Sequence, residues 1–330
     1  MTGTRDHPPD ARPEARGMAP GRKLGLFLGI TAAGAAGLFA LARVAIPAAP
    51  EEQQAALIAA FRVLYGMPAL LAALGVQGAL AQAPVVGPLG LRFRPNAGWA
   101  VALLVPLAIG GLALALALLE PGTSLVTTVD QYAAREAELR GLPDARVPEL
   151  AEEASGLGAS PLFFVLAGAL SLGGLLFQAL LLVPAELAWR GFAHHVLGEL
   201  RPGIDVYRRG VVVGLAWGLW LIPLDAVGPG FPAAPLATST LRMASAVALG
   251  VWLSVVRERS GSVLASTLFL AAVSRLALVP QRLVLGGSRI TVGEPGLALL
   301  GALTLSLLGL IVWRRLGQPV RRLRRRTSTP

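Results

Sequence analysis

The chain reads as a series of apolar blocks, each near 20 residues, separated by short polar or charged stretches. A helix needs ~20 apolar residues at about 1.5 Å rise each to cross the ~30 Å hydrocarbon core of a bilayer. Eight segments meet that need: 24–46, 55–75, 98–118, 161–185, 210–227, 236–256, 262–280 and 294–313. Arg62 and Met67-Pro68 interrupt the second, and the fifth is short. The pattern predicts an all-α fold, a polytopic membrane bundle of about eight transmembrane helices over residues 24–313. Residues 1–23, rich in Pro, Gly and Arg, read as a disordered tail, and residues 314–330 as a basic one. The first block is too long for a signal-peptide core and lacks a small-residue cleavage site, so it is expected to stay as a helix.

Composition narrows the class further. Hydrophobic residues make up 54% of the chain and charged residues 15%, against about 25% charge in soluble domains, which excludes an ordinary soluble enzyme. The net charge of +10 lies in loops and tails, so it reads as topology and not as a nucleic-acid surface. With the N-terminus inside, inner segments hold 20 Lys and Arg residues and outer loops hold 5. The positive-inside rule then places both termini in the cytoplasm of a cell-membrane protein. Membrane lipids are an expected partner, because each Arg of the C-terminal tail adds about 1 kcal/mol of attraction to anionic headgroups. The absence of cysteine excludes disulfides, thiolate metal sites and a cysteine nucleophile.

The outer loop, 119–159, carries eight acidic and three basic residues. Asp130 is expected to cap a short solvated helix there, with Glu136 and Arg140 paired one turn apart. The spacings Gly25/Gly29 and Gly214/Gly218 permit close helix contact.

Charged groups within a membrane are costly and point to function or pairing. Glu186 and Arg190, four residues apart at the inner end of the fourth span, can form an ion pair that carries the helix into the headgroup zone. His195 and Glu199 could place two ligands on one metal, but a catalytic site wants three, and the adjacent His194 points elsewhere. No metal and no cofactor are therefore expected. Arg62, Arg242 and Arg275 are expected to snorkel or pair inside the bundle. Asp225, one turn beyond Leu221, could face the same cavity.

The string AELAWRGF resembles the first motif of the CAAX-protease and bacteriocin-processing family, also called CPBP or Abi. That motif has two adjacent glutamates, three residues with an aromatic third, then Arg-Gly. Glu186, Trp189, Arg190 and Gly191 match, and Ala185 stands at the first glutamate. PLGLRFRP is similar to the family's Leu-Gly-Leu-basic stretch before the third span, through Leu89 to Arg92. GLAWGLWLIPL resembles the second motif through Trp217 and Pro223, with Leu221 at the histidine. SGSVLASTLFLAAVSRL resembles the third, with Leu270 at the histidine and Ser274 at the asparagine. The resemblance covers about residues 85–280 and implies an intramembrane endopeptidase scaffold.

In that family the first glutamate is taken to activate a water, the histidines to orient water or a metal, and the asparagine to stabilise an oxyanion. The sole asparagine here, Asn96, lies before the third span. The resemblance with substituted positions implies a CPBP-like membrane protein without peptidase activity, which binds a membrane protein or a lipidated peptide. The alternative is an active glutamic or metallo-endopeptidase cleaving prenylated or peptide substrates at the membrane, with Glu186 as base and Arg190 beside it. Either way the fourth, fifth and seventh spans are expected to pack around a cavity near the inner face, with Glu186, Leu221 and Leu270 on its wall.

Overall fold

The computed structural model describes residues 18–156, 160–227, 235–293 and 296–326; the reading of 1–17 as disordered lies outside them. The chain is an all-α membrane bundle. Helix α1 (Pro20–Ala48) is followed by α2 (Glu51–Leu64) and α3 (Met67–Leu74), which form one pass kinked at Tyr65-Gly66 and ended by a π turn at Gly75–Leu80. The short α4 (Val86–Leu89) leads into α5 (Ala97–Ala117). On the far side lie α6 (Val129–Arg140) and α7 (Val147–Ser155). The fourth pass comprises α8 (Pro161–Leu170), α9 (Leu172–Glu186), a π turn and α10 (His194–Leu200). Then come α11 (Val206–Asp225), α12 (Pro235–Ser260), α13 (Val263–Leu283), the four-residue α14 (Arg289–Val292) and α15 (Leu297–Arg326). The backbone of α15 thus stays helical past Arg314, where the sequence suggested a tail. Two short strands, β1 (Ser124–Leu125) and β2 (Val284–Leu285), pair antiparallel beyond one end of the bundle.

Among the described residues, seven helices are long and apolar enough to cross a membrane. The expected eighth, α11, forms a 20-residue helix, about 30 Å long at 1.5 Å per residue, but Arg208 and Arg209 dilute its apolar stretch. It packs along α12 through glycine. A Cβ placed on Gly250 would stand 2.6 Å from both Gly210 O and Gly214 Cα, and one on Gly214 would stand 2.8 Å from Ala246 O. The Gly214/Gly218 spacing is therefore used, whereas Gly25 and Gly29 meet nothing within 4 Å.

Side-chain contacts sort the loops to two ends. At one, Lys23 meets Glu199, Arg209 meets Glu258, and Arg314 lies over the Tyr207 ring. Asn96 joins that end by capping α5 at Gly98 N (2.8 Å) while donating to Ser260 O (2.9 Å). At the other, Arg135 donates to Gln281 O, Arg282 meets Glu136, and Glu120 accepts from Ser288 N. The first end gathers the segments counted as inner from their charge, and the second gathers the outer ones.

Three expectations need correction. The run 161–185 is not one helix: Ser171 takes φ −56° and ψ 129°, which breaks α8 from α9. Arg275 of α13 supplies what the broken end lacks, donating to Ala169 O at 2.9 Å and to Gly168 O, so the last carbonyls of α8 are satisfied in an apolar setting. Gly174 makes this possible, since a Cβ there would lie 2.4 Å from the Arg275 guanidinium. The outer helix α6 is capped by Thr128 in a reciprocal box with Gln131, and Asp130 merely sits in its first turn. Nor is α6 solvated all round: it buries Tyr132, Ala133 and Glu136, and Glu136 bridges Arg140 (3.1 Å) and Arg282 (3.2 Å), clamping the outer segment to the end of α13.

Candidate functional site

AELAWRGF spans the junction of α9 with a seven-residue π turn, Leu187–Ala193, every residue of which is buried. A π turn accommodates an extra residue by wider i→i+5 bonding and is frequent at functional sites. Pro184, two residues before Glu186, brings no backbone donor to this part of the helix. Within the turn, Arg190 Nη1 lies 3.6 Å from Glu186 Oε1, and both side chains are 0% exposed. Among the described residues, neither carboxylate oxygen, nor any of the three guanidinium nitrogens, has a partner at hydrogen-bond geometry. Ser266 stands beside Glu186, but its hydroxyl donates to Val263 O at 2.8 Å. The remaining support for the cation is aromatic: Arg190 Cζ lies 4.3 Å from the Trp217 ring centroid.

The other motif positions come to the same region. Ala185 packs against Gly66 at the kink between α2 and α3, where a Cβ would lie 3.7 Å from Ala185 Cβ. Ala185, Trp189, Trp217, Leu221 and Leu270 belong to one apolar cluster with Phe27, Phe192 and Trp220. Leu270 is buried, and Ser274, one turn further along α13, is half-buried. Aromatic rings close around the pair: Trp189 meets Phe27 edge-on at 5.3 Å and Trp220 at 5.8 Å. Tyr65 lies 4.6 Å from the Trp220 ring and donates to its carbonyl at 2.6 Å. The sequence reading passed over Tyr65 and Trp220; the Tyr65-Gly66 kink, beside the recognised Met67-Pro68 interruption, was the available signal. The surroundings of Glu186, Leu221 and Leu270 are thus packed with rings and aliphatic side chains, not arranged as an open polar cleft.

The adjacent histidines lie one turn beyond. His194 is buried, and His195 Nε2 meets Glu199 Oε1 at 3.2 Å while Lys23 approaches the same carboxylate at 3.6 Å. Among the described residues, no three His, Asp or Glu side chains are grouped to hold a metal ion. Asp225 is the last residue of α11, and its side chain lies outside the described set.

Residues 167–274 match the family model of type II CAAX prenyl endopeptidase Rce1-like proteins. Over those residues, about a third of the chain, this membrane protein is similar to the CAAX-protease-like family. The match runs from the end of α8 to Ser274 and so contains Ala185, Glu186, Arg190, Leu221, Leu270 and Ser274. It lies within the 85–280 core expected from the motifs, and stops short of Leu89 to Arg92 on its N-terminal side. No curated protein matches the chain. In the matched segment, the Arg-Gly step also has a packing role. Gly191 lies against α4, where a Cβ would stand 3.0 Å from Leu89 O, so the stretch before the third span touches the first motif directly.

Proposed function

We propose that this chain is a CAAX-protease-like membrane protein without peptidase activity, which holds a membrane protein or a lipidated peptide, with Glu186 and Arg190 retained as a structural pair. The observation that carries the reading is the chemistry of the four positions around that pair. Ala185, Leu221 and Leu270 add only apolar surface, and Ser274 offers a hydroxyl where a carboxamide would orient an oxyanion. Water activation needs a base within hydrogen-bond reach of a water, and loss of that base typically costs ~10²- to 10⁴-fold in rate. Loss of an oxyanion donor costs a further ~10²- to 10³-fold. Glu186 is left as the one carboxylate of the motif, 3.6 Å from a guanidinium and fully buried inside an apolar cluster.

Purified protein in lipid nanodiscs, given prenylated and unprenylated peptides, is expected to yield no cleavage above a no-protein control. It is expected to retain some of these peptides or a co-purifying membrane protein. Cleavage that disappears in Glu186→Gln at equal expression would overturn the reading and make Glu186 the base.

The same proposal places the end carrying Lys23, His194 and Arg257 in the cytoplasm, on the charge asymmetry of the loops. Because the chain has no cysteine, an introduced thiol is the only one present. An impermeant maleimide applied to intact cells is expected to label Gly122→Cys and to spare Thr329→Cys. Labelling of Thr329→Cys alone reverses the orientation.

A further inference from the structure

A cleft of about 400 Å³ opens at the end of the bundle where α10, the start of α11 and the end of α12 converge, lined by His194, His195, Glu199, Arg209, Arg257 and Glu258. It lies apart from the Glu186 cluster and is polar where that cluster is apolar. Two glycines make room for its two guanidinium groups. A Cβ on Gly198 would stand 3.2 Å from Arg209 Cζ, and one on Gly90, whose φ of +66° favours glycine, would lie 1.9 Å from Arg257 Nη2.

The charges in the cleft do not balance locally. Arg209 is held by Glu258 at 3.0 Å, and Glu199 is answered by Lys23 and His195. Arg257 has no hydrogen bond or ion pair among the described residues, its Nε is buried and unsatisfied, and Glu258, which pairs with Arg209, attracts it only from beyond ion-pair distance. Arg92 sits close enough for the two positive charges to repel. A second orphan faces the same space: His194 is 5% exposed, its Nε2 has no hydrogen-bond partner, and the nearest carboxylate oxygen, on Glu258, is 4.0 Å away. Two adjacent like charges and an unpartnered imidazole nitrogen together favour an anion in this space.

The donors also say which anion. Arg257, Arg209 and His194 all line the cleft and come from α12, α11 and α10, so a single acceptor must offer oxygens in several directions. A carboxylate presents two oxygens in one plane, whereas a tetrahedral phosphate presents three, and the guanidinium fork matches a pair of them. The volume falls within the range of small-ligand sites, which admits a phosphate with a glycerol-sized substituent. We propose that this cleft binds a phosphate group, carried by an anionic lipid at the bilayer surface or free in solution.

Glycerol 3-phosphate and phosphatidic acid present the same phosphomonoester from the two sources. The full chain in phosphatidylcholine nanodiscs, at constant ionic strength, is titrated with the first in solution and with the second as a lipid component. Unfolding temperature and tryptophan fluorescence are recorded. At least one ligand is expected to stabilise the protein saturably, with Arg257→Gln and Arg92→Gln each weakening binding by about tenfold or more. Arg140→Gln, at the opposite end, should leave it unchanged. Arg257→Gln should fold as well as the parent without ligand, because among the described residues Arg257 has no hydrogen bond or ion pair to lose; if its expression fails, the exposed Arg92 carries the test alone. A response to phosphatidic acid only identifies the source as a lipid headgroup, and one to glycerol 3-phosphate only as a soluble phosphate. No saturable shift with either, or a shift that survives both substitutions, overturns the proposal. The outcome is independent of whether the protein cleaves peptides.

Discussion

Glu186→Ala is expected to cost about 3–5 kcal/mol of stability, the typical penalty for removing one member of a buried ion pair. The reason lies in the partner left behind. Arg190 is 0% exposed, has no hydrogen bond through any guanidinium nitrogen among the described residues, and would keep only its stack on the Trp217 ring at 4.3 Å. Glu186→Gln should recover little, since it preserves shape but leaves the positive charge uncompensated. The double variant Glu186→Leu/Arg190→Leu should restore most of the loss, because replacing both charges with apolar groups of similar volume is often neutral or stabilising. Chemical unfolding in detergent, run as a double-mutant cycle, separates these cases. A double variant as unstable as either single one would show that the two residues are needed for something other than each other.

The second large effect is expected where α11 meets α12. Gly214→Val and Gly250→Val each force branched carbons into positions where a single Cβ would already approach backbone atoms of the other helix, at 2.8 Å and 2.6 Å. Overpacking a filled core typically costs about 1–3 kcal/mol, and here the obstacle is backbone, which cannot rotate aside as a side chain does. Both variants should therefore fall at or above the top of that range. Gly25→Val, built where nothing lies within 4 Å, should stay near zero and serves as the control. Equal melting temperatures for Gly214→Val and Gly25→Val would mean that α11 and α12 do not touch as described.

These two sites differ in how far the sequence exposed them. The long apolar passes were legible because a bilayer imposes length and hydropathy directly, and α1, α5, α12 and α13 lie close to the expected blocks. The break at Ser171 was not, since hydropathy averages over the backbone and cannot register that the carbonyls of Gly168 and Ala169 are taken by Arg275, more than a hundred residues away. Gly173-Gly174, in a stretch otherwise rich in Leu, was the only local hint. The adjacency of Glu186 and Arg190 followed from their i,i+4 spacing, but their complete burial did not, because the rings around them come from α1, α11 and the turn itself. The cleft beside His194 could not be found from spacing at all: its glycines, Gly90 and Gly198, matter only for which distant arginine lies over them.

The π turn at Leu187–Ala193 also acts on helical phase. A residue added to a helix without a matching turn rotates everything after it by about 100° relative to an uninterrupted helix. Above the turn, α9 presents its packed strip to α13 and α3; below it, α10 faces α1 and α11. One continuous pass therefore serves two sets of neighbours that a single straight stripe could not reach. The extra residue works as a gear between the half of the bundle that buries Glu186 and the half that opens onto the polar cleft.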